Sequence, residues 1–471
     1  MSAPTIGHEL DAPSVEGLRK ELRGNVITSS GARYDEARRV WNAMVDKRPA
    51  LIVQCADAQD VATAIAFGRS NGLEIGVKCG GHGILGDAVP DGGLMIDLSP
   101  MSSVRIDPEQ RLAYVGGGAL LGDLDRASAP HGLATTAGQV SHTGVGGLTL
   151  GGGMGWLARQ LGLACDNVAA YEVVTADGSR LTASADENPE LFWGLRGGGG
   201  NFGVVTQFTF RLHPISGQVL QADFFYRPED GLAVMRAFRD FARSAPPQAN
   251  PTAWVGTAPD WPFLPTELHG MPLVNAGYVW IGDPAEGRAH LPIFREVAPP
   301  LAEVIGETSY VELQSQGDES QRHHLRRYWK DHYIRELTDE AIEAILGRGG
   351  PPGEEGMRAN AAMLGMGGAI ARVGAGDSAF SHRDAGFEFI TDTGWDDPAE
   401  DEMRMSACRR YAAAVEPFSI GTYVNALSDE GEAGVKRAYP PETLARLTAL
   451  KDRYDPDNVF HRNHNVAPSR R

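Results

Sequence analysis

The sequence predicts an α+β protein of two domains. Its 471 residues exceed one ordinary domain. Residues 50–77 alternate two short apolar strands with one helical segment. After Pro214 the glycine clusters thin out, and five of the eight tryptophans (Trp254, Trp261, Trp280, Trp329 and Trp395) fall between residues 215 and 423. The first block therefore reads as one unit rich in glycine loops. The second reads as an α+β unit whose aromatics form either a substrate cover or simply its own core.

Composition narrows the partners. A formal net charge of −18 repels nucleic acid and anionic membranes. Cys55, Cys79, Cys165 and Cys408 are scattered without a C-x-x-C spacing, so neither a disulfide framework nor a zinc site is expected. The start Met1-Ser2-Ala3-Pro4-Thr5 lacks the charged and apolar regions of a leader, and no apolar run approaches a membrane span. The expectation is a cytoplasmic protein, monomer or homodimer, acting on a small molecule.

In chain order, Ala50–Gln54 is an apolar strand. Val61, Ala64, Ile65 and Gly68 then repeat at helical spacing up to Asn71-Gly72, and Glu74–Val77 is a second strand. Strand, helix, strand is a parallel βαβ unit, so the loop Lys78-Cys79-Gly80-Gly81-His82-Gly83 leaves a strand at its carboxyl end, where open α/β sheets place ligands. Segments 92–98 and 112–118 read as strands and 120–126 as a helix. The stretch Gly138–Gly155 is too rich in glycine to order cheaply unless something lies against it. Residues 166–178 read as a strand entering a type I′-like hairpin turn. Val204–Leu212 alternates with period two and ends before Pro214. Gly347–Glu355 is a loop by composition. The basic run His323–Lys330 is either an anion site or a solvated charged face. His461 and His464 lack carboxylate or cysteine company, and no metal site is expected.

On its own, Gly80-Gly81-His82 after a strand reads more often as a turn with a satisfied histidine than as a cofactor attachment. It is neither a Walker A loop nor a clean Gly-x-Gly-x-x-Gly. Three motifs in order change this. Gly80-Gly81-His82, Gly144-Val145-Gly146-Gly147 running to Gly155, and Asn201–Thr206 together resemble the FAD-linked oxidases of the berberine bridge enzyme type, whose flavin domain is shared with vanillyl-alcohol oxidase. The tail from Tyr454 to Val466 resembles that family's closing motif.

The resemblance implies a split flavin domain, residues 1–214 and 426–471, and a substrate domain with an antiparallel sheet and helices, residues 215–425. It implies FAD bound covalently through His82, with Lys78, Cys79, Gly80, Gly81, Gly83, Gly138, Gly144, Gly147, Gly152, Gly153, Val204, Asn463 and Asn465 around the cofactor. Val140 stands where two-bond relatives carry a cysteine, and Leu148 where many carry histidine, so one bond is implied, as in bacterial one-bond members. His142 and Thr143 fall at the oxygen-access position. For His142 the alternative is a buried hydrogen-bonding pair without kinetic role.

The implied reaction is dehydrogenation of a small organic substrate, such as an alcohol, amine or secondary metabolite, with O2 as acceptor. The alternatives are a dehydrogenase using another acceptor and a non-catalytic flavin-binding protein. Tyr423-Val424-Asn425-Ala426 keeps the first tyrosine and the asparagine of a Tyr-x-Asn-Tyr motif and loses the second tyrosine, often the base. Glu388, on a candidate strand 386–390, either replaces that base or sits on the wet face of its strand.

Overall fold

The computed structural model describes residues 11–350 and 358–470. The part of the Gly347–Glu355 loop from Pro351 onward lies outside them.

The first sheet joins β1 (Asn25–Thr28), β2 (Leu51–Gln54), β3 (Ile75–Lys78) and β4 (Leu94–Asp97) in the order β1-β2-β4-β3. β2 and β3 each pair in parallel with β4. The crossover helix Ala58–Ser70 is capped by Asp57, whose carboxylate accepts from the Gln59 and Asp60 amides, and it buries Val61, Ala64, Ile65 and Gly68 against the sheet. The expected βαβ unit is present, with β4 inserted between its two strands.

The second sheet is antiparallel: β5 (Val104–Asp107), β6 (Leu112–Gly116), β8 (Val168–Val174), β9 (Arg180–Ser184) and β10 (Val204–Arg211), in the order β5-β6-β10-β8-β9. A short pair, β7 (Leu133–Ala134) with β11 (His213–Pro214), lies beside it. The β8–β9 hairpin differs from the expected type I′ turn. Only Gly178 has a positive φ, +83°, and its amide bonds the Thr175 carbonyl at 2.9 Å. With Asp177 Oδ1 taking the Thr175 hydroxyl and the Ser179 amide, the loop is a type I turn followed by one left-handed glycine.

Residues 218–421 supply an eight-stranded antiparallel sheet. Its strands are β12 (Gln218–Tyr226), β13 (Ala249–Thr257), β14 (Pro272–Ile281), β15 (Ala302–Ser309), β16 (Arg326–Ile334), β17 (Asn360–Gly365), β18 (Phe387–Trp395) and β19 (Ser419–Gly421), in the order β15-β12-β14-β13-β17-β18-β16-β19. Strand alternation gives this sheet two faces. Ala361, Met363, Phe387 and Phe389 face the helices Gly231–Ser244, Asp339–Gly347 and Asp401–Val415, inside a core with Phe238, Ile342 and Tyr411. Their neighbours Ala362, Leu364, Glu388, Ile390 and Asp392 line a cavity on the other face.

From Arg326 onward the basic run is the first half of β16 rather than a solvated face. Arg326 pairs with Asp401, Lys330 with Asp429 and Glu430, and Arg327 is buried over Trp41. Arg326 and Lys330 are thus neutralised within the protein, whereas among the described residues the Arg327 guanidinium donates only to Gln321 Oε1 and to the Ser320 and Arg322 carbonyls and lines the cavity.

The tail returns to the first block through helix Pro441–Tyr454. The fully buried Lys451 ammonium donates to Asp455 Oδ2 at 2.7 Å and to the Asn201 and Phe460 carbonyls at 2.9 Å each. Among the described residues no helix is long and apolar enough to cross a membrane, and all four cysteines are free thiols.

Candidate active site

A cavity of about 1170 Å³ lies between the glycine loops and the eight-stranded sheet. That exceeds the roughly 300–1,000 Å³ of common small-ligand pockets and suits a dinucleotide plus a substrate. Gly80 and Gly144 close one wall by backbone contact: a Cβ on Gly80 would stand 2.3 Å from the Gly144 nitrogen, so side chains are excluded there. Gly83, Gly147 and Gly200 line the same cavity, and a Cβ on any of them would meet nothing within 4 Å. Backbone is thus bared to an open cleft, a cradle that fits a long flat cofactor such as FAD.

His82 projects from the first glycine loop into this cavity, with Trp41 stacked on its ring at 4.8 Å and 17°. Its Nε2 lies 2.8 Å from His142 Nδ1, and its Nδ1 meets only the Thr143 hydroxyl, at 3.4 Å. Burial, then the neighbouring His142 and His323 rings, pushes the His82 pKa down to about 2. The imidazole is therefore neutral at pH 7 and keeps a nucleophilic lone pair.

Cys79, Gly81, Gly138, Gly144, Val204 and Asn463 also reach the cavity wall, and so does Val140 at the place of a second anchor. Cys79 is no substitute anchor, since its thiol faces the Ala119 carbonyl at 3.4 Å and burial raises its pKa to about 11.

Four expected cofactor residues are off the wall. Lys78 turns its ammonium to the Ala37 carbonyl at 2.9 Å, and Asp97 lies 3.8 Å away. Gly152 packs against Phe380, and Gly153 donates its amide to the Tyr423 hydroxyl at 2.9 Å, so both serve the junction with the tail. Asn465 lies beyond the last contact of the tail with the cavity, which Asn463 and His464 make.

Tyr423, Asn425 and Glu388 line the same cavity. The Tyr423 hydroxyl accepts from the Gly153 amide and, at 2.8 Å, from Asn425 Nδ2, which also donates to the Leu148 carbonyl at 3.0 Å. Both of its acceptor positions are filled, leaving the O–H proton free to donate. Burial raises its pKa well above the ordinary tyrosine value, so at neutral pH the group is a donor and not a base.

Glu388 is buried, 1% exposed, so the wet-face reading fails. Neither of its oxygens has a hydrogen-bond partner among the described residues, nor does Asp331 Oδ2. Asp331 Oδ1 accepts from the Tyr423 amide at 2.6 Å and the Thr422 hydroxyl at 2.8 Å. Tyr333 pairs with Glu388 and Trp329 with Asp392, which puts Asp331 diagonally between the two acids on one sheet face. Burial, then the charge of Asp331, pushes Glu388 well above the usual carboxylate range, and burial raises Asp331 to about 7. The pair holds a proton at neutral pH.

Sequence reasoning missed Trp41, Asp331 and Asp392, and named His323 and Arg327 only as members of a basic run. Each reaches the site through strand pairing or loop contacts far along the chain. Only the register of β16 against β18, not visible in either segment alone, brings the acids together.

Residues 49–184 match the FAD binding domain family, and residues 422–467 match the berberine and berberine-like family. The chain is 30% identical over 456 residues to (R)-6-hydroxynicotine oxidase of Paenarthrobacter nicotinovorans, covering 95% of this chain and 97% of the relative. Among solved structures, 6-hydroxy-D-nicotine oxidase of Arthrobacter nicotinovorans superposes with a TM-score of 0.84 at 29% identity, over 95% of this chain and 98% of the other. Glucooligosaccharide oxidase of Acremonium strictum, which carries a 6-S-cysteinyl, 8α-N1-histidyl FAD, superposes with a TM-score of 0.85 at 24% identity, over 97% of this chain and 99% of the other, a likeness of fold.

Proposed function

The chain belongs to the FAD-linked oxidoreductases of the berberine and berberine-like type, and from that premise we propose an oxidase whose FAD is held by a single covalent bond to His82. Residues up to 214 together with 426 onward hold the cofactor, and residues 215–425 hold the substrate. The observation that carries this reading is the convergence of a neutral His82 and the Tyr423–Asn425–Glu388 group on one cavity. Held by the glycine loops and His82, FAD would supply two-electron acceptor chemistry for hydride removal from the substrate, with O2 as the final acceptor.

The protein's part is positioning. Asn425 fixes the Tyr423 hydroxyl so that its proton points to the substrate, and the Asp331–Glu388 pair receives or returns a proton on the sheet side. Glu388 and Asp392 line the cavity from one sheet face with Asp331 diagonally between them, and Arg327 and Arg462 are cations lining the same cavity. The Tyr-x-Asn-Ala motif removes the second tyrosine, so any proton abstraction falls to the Asp331–Glu388 pair.

The test is anaerobic mixing with candidate amines and alcohols, followed by exposure to O2. Bleaching that O2 reverses within turnover time supports the oxidase. Bleaching that O2 reverses only slowly indicates a dehydrogenase with another acceptor, and failure of every substrate class to bleach indicates a binding protein.

A further inference from the structure

His82, His142 and His323 offer one ring nitrogen each, and these three atoms lie within 4.8 Å of one another. They come from three separate loops, with ring centroids 4.8 Å apart for His82–His142, 5.6 Å for His82–His323 and 5.0 Å for His142–His323. His323 has no part in the proposed oxidation, and it lies 181 positions along the chain from His142.

We propose that His82 Nε2, His142 Nδ1 and a ring nitrogen of His323 form a binding site for a divalent transition-metal cation of the zinc type. A borderline-soft cation takes neutral imidazoles at about 2.0–2.1 Å, and three such ligands with water in the fourth position are a common open site. Two ligands in tetrahedral geometry stand about 3.3 Å apart. The His82–His142 separation of 2.8 Å therefore opens by a fraction of an ångström, which side-chain rotation supplies.

The outer contacts fit this role. His142 turns its other nitrogen, Nε2, to the Asp318 carbonyl at 3.4 Å, a partner that places N–H there and leaves the Nδ1 lone pair facing the cluster. The Asp318 carboxylate in turn accepts from the Ser141 amide at 2.8 Å and hydroxyl at 2.6 Å, fixing the loop that carries His142. Trp41 holds the His82 ring from one side.

The site does not compete with the cofactor bond. His82 Nδ1 is the nitrogen left facing Thr143, and an imidazole substituted at one nitrogen keeps the lone pair of the other. Flavin attachment at Nδ1 and metal binding at Nε2 are compatible, and the metal site rests on the three imidazoles alone.

The experiment uses full-length flavoprotein stripped with chelator and titrated with ZnCl2 against a zinc-sensitive dye. One Zn²⁺ per chain is expected. His142→Ala and His323→Ala should each weaken it by at least about 100-fold, since loss of mere outer-sphere partners costs about 10–100-fold. Co²⁺ on the unaltered protein gives a readout independent of any variant, and tetrahedral visible bands are expected. Absence of saturable binding, affinity unchanged in either variant, or a purely octahedral Co²⁺ spectrum overturns the proposal. Acid precipitation reports flavin attachment separately, so failure of one reading leaves the other standing.

Discussion

Replacing Tyr423 by phenylalanine separates positioning from proton abstraction. The hydroxyl accepts from the Gly153 amide at 2.9 Å and from Asn425 Nδ2 at 2.8 Å. Without it, Asn425 keeps the Leu148 carbonyl, whereas the Gly153 amide has no other acceptor in view. One buried donor left unmade should cost about 1–3 kcal/mol of stability. For turnover, the proposed role is one hydrogen bond donated to substrate, whose loss should cost about 0.5–1.5 kcal/mol in transition-state binding, a factor of about 2–13 in the rate of flavin reduction. A general base would be worth about 10²–10⁴-fold. Anaerobic stopped-flow of flavin reduction decides the matter, with urea unfolding of the same variant as companion. A loss above a hundredfold makes Tyr423 the base and refutes the argument from its filled acceptor positions. An unchanged rate shows that the hydroxyl never meets substrate.

Other outcomes follow from the same geometry. His82→Ala should release all flavin into the supernatant on acid precipitation, whereas the parent pellet should stay yellow; a yellow variant pellet would place the bond elsewhere. Thr143→Leu should slow reoxidation by O2 while leaving substrate reduction nearly unchanged, and equal oxygen rates would show that this position is no gate. Asp331 and Glu388 hold protons in the folded state at pH values where the unfolded chain has lost them, so stability should fall as pH rises from about 4 through about 7. Glu388→Gln should flatten that slope in urea titrations at pH 5 and pH 8, and an identical slope would rule the pair out as its source. Lys451→Met strands the buried Asp455 and two carbonyls, and should cost about 3–5 kcal/mol in the same assay; a loss below about 1 kcal/mol would mean that the tail anchors elsewhere.

What could be read from the sequence was local. The loop around Gly80, Gly81 and His82 follows a strand within one βαβ unit, so its place at a strand's carboxyl end was legible from spacing, while its reading as a cofactor loop came from the resemblance of three motifs. The glycines at 144 and 147 and the retained Tyr423 and Asn425 were legible through the family motifs they resemble, and all four line the cavity. Lys78 was misplaced because contiguity does not say which way a side chain turns at the end of a strand. Here the Ala37 carbonyl decides it.

The sequence by itself determined the glycine-rich loops, the histidine set among them and the period-two pattern of the strands. It did not determine which face of β18 would be dry. Phe387 and Phe389 are apolar, and Glu388 between them looks like an outward residue; only the helices on one face and the glycine loops on the other make both faces interior. Burial on both sides withdraws water from Glu388, and antiparallel register sets Asp331 diagonally beside it from 57 positions away, which turns two ordinary acids into a proton-holding pair. The three histidines have the same origin. Coulombic and coordination chemistry depend on distances of a few ångströms between side chains, and for residues on separate loops only the tertiary fold fixes such distances.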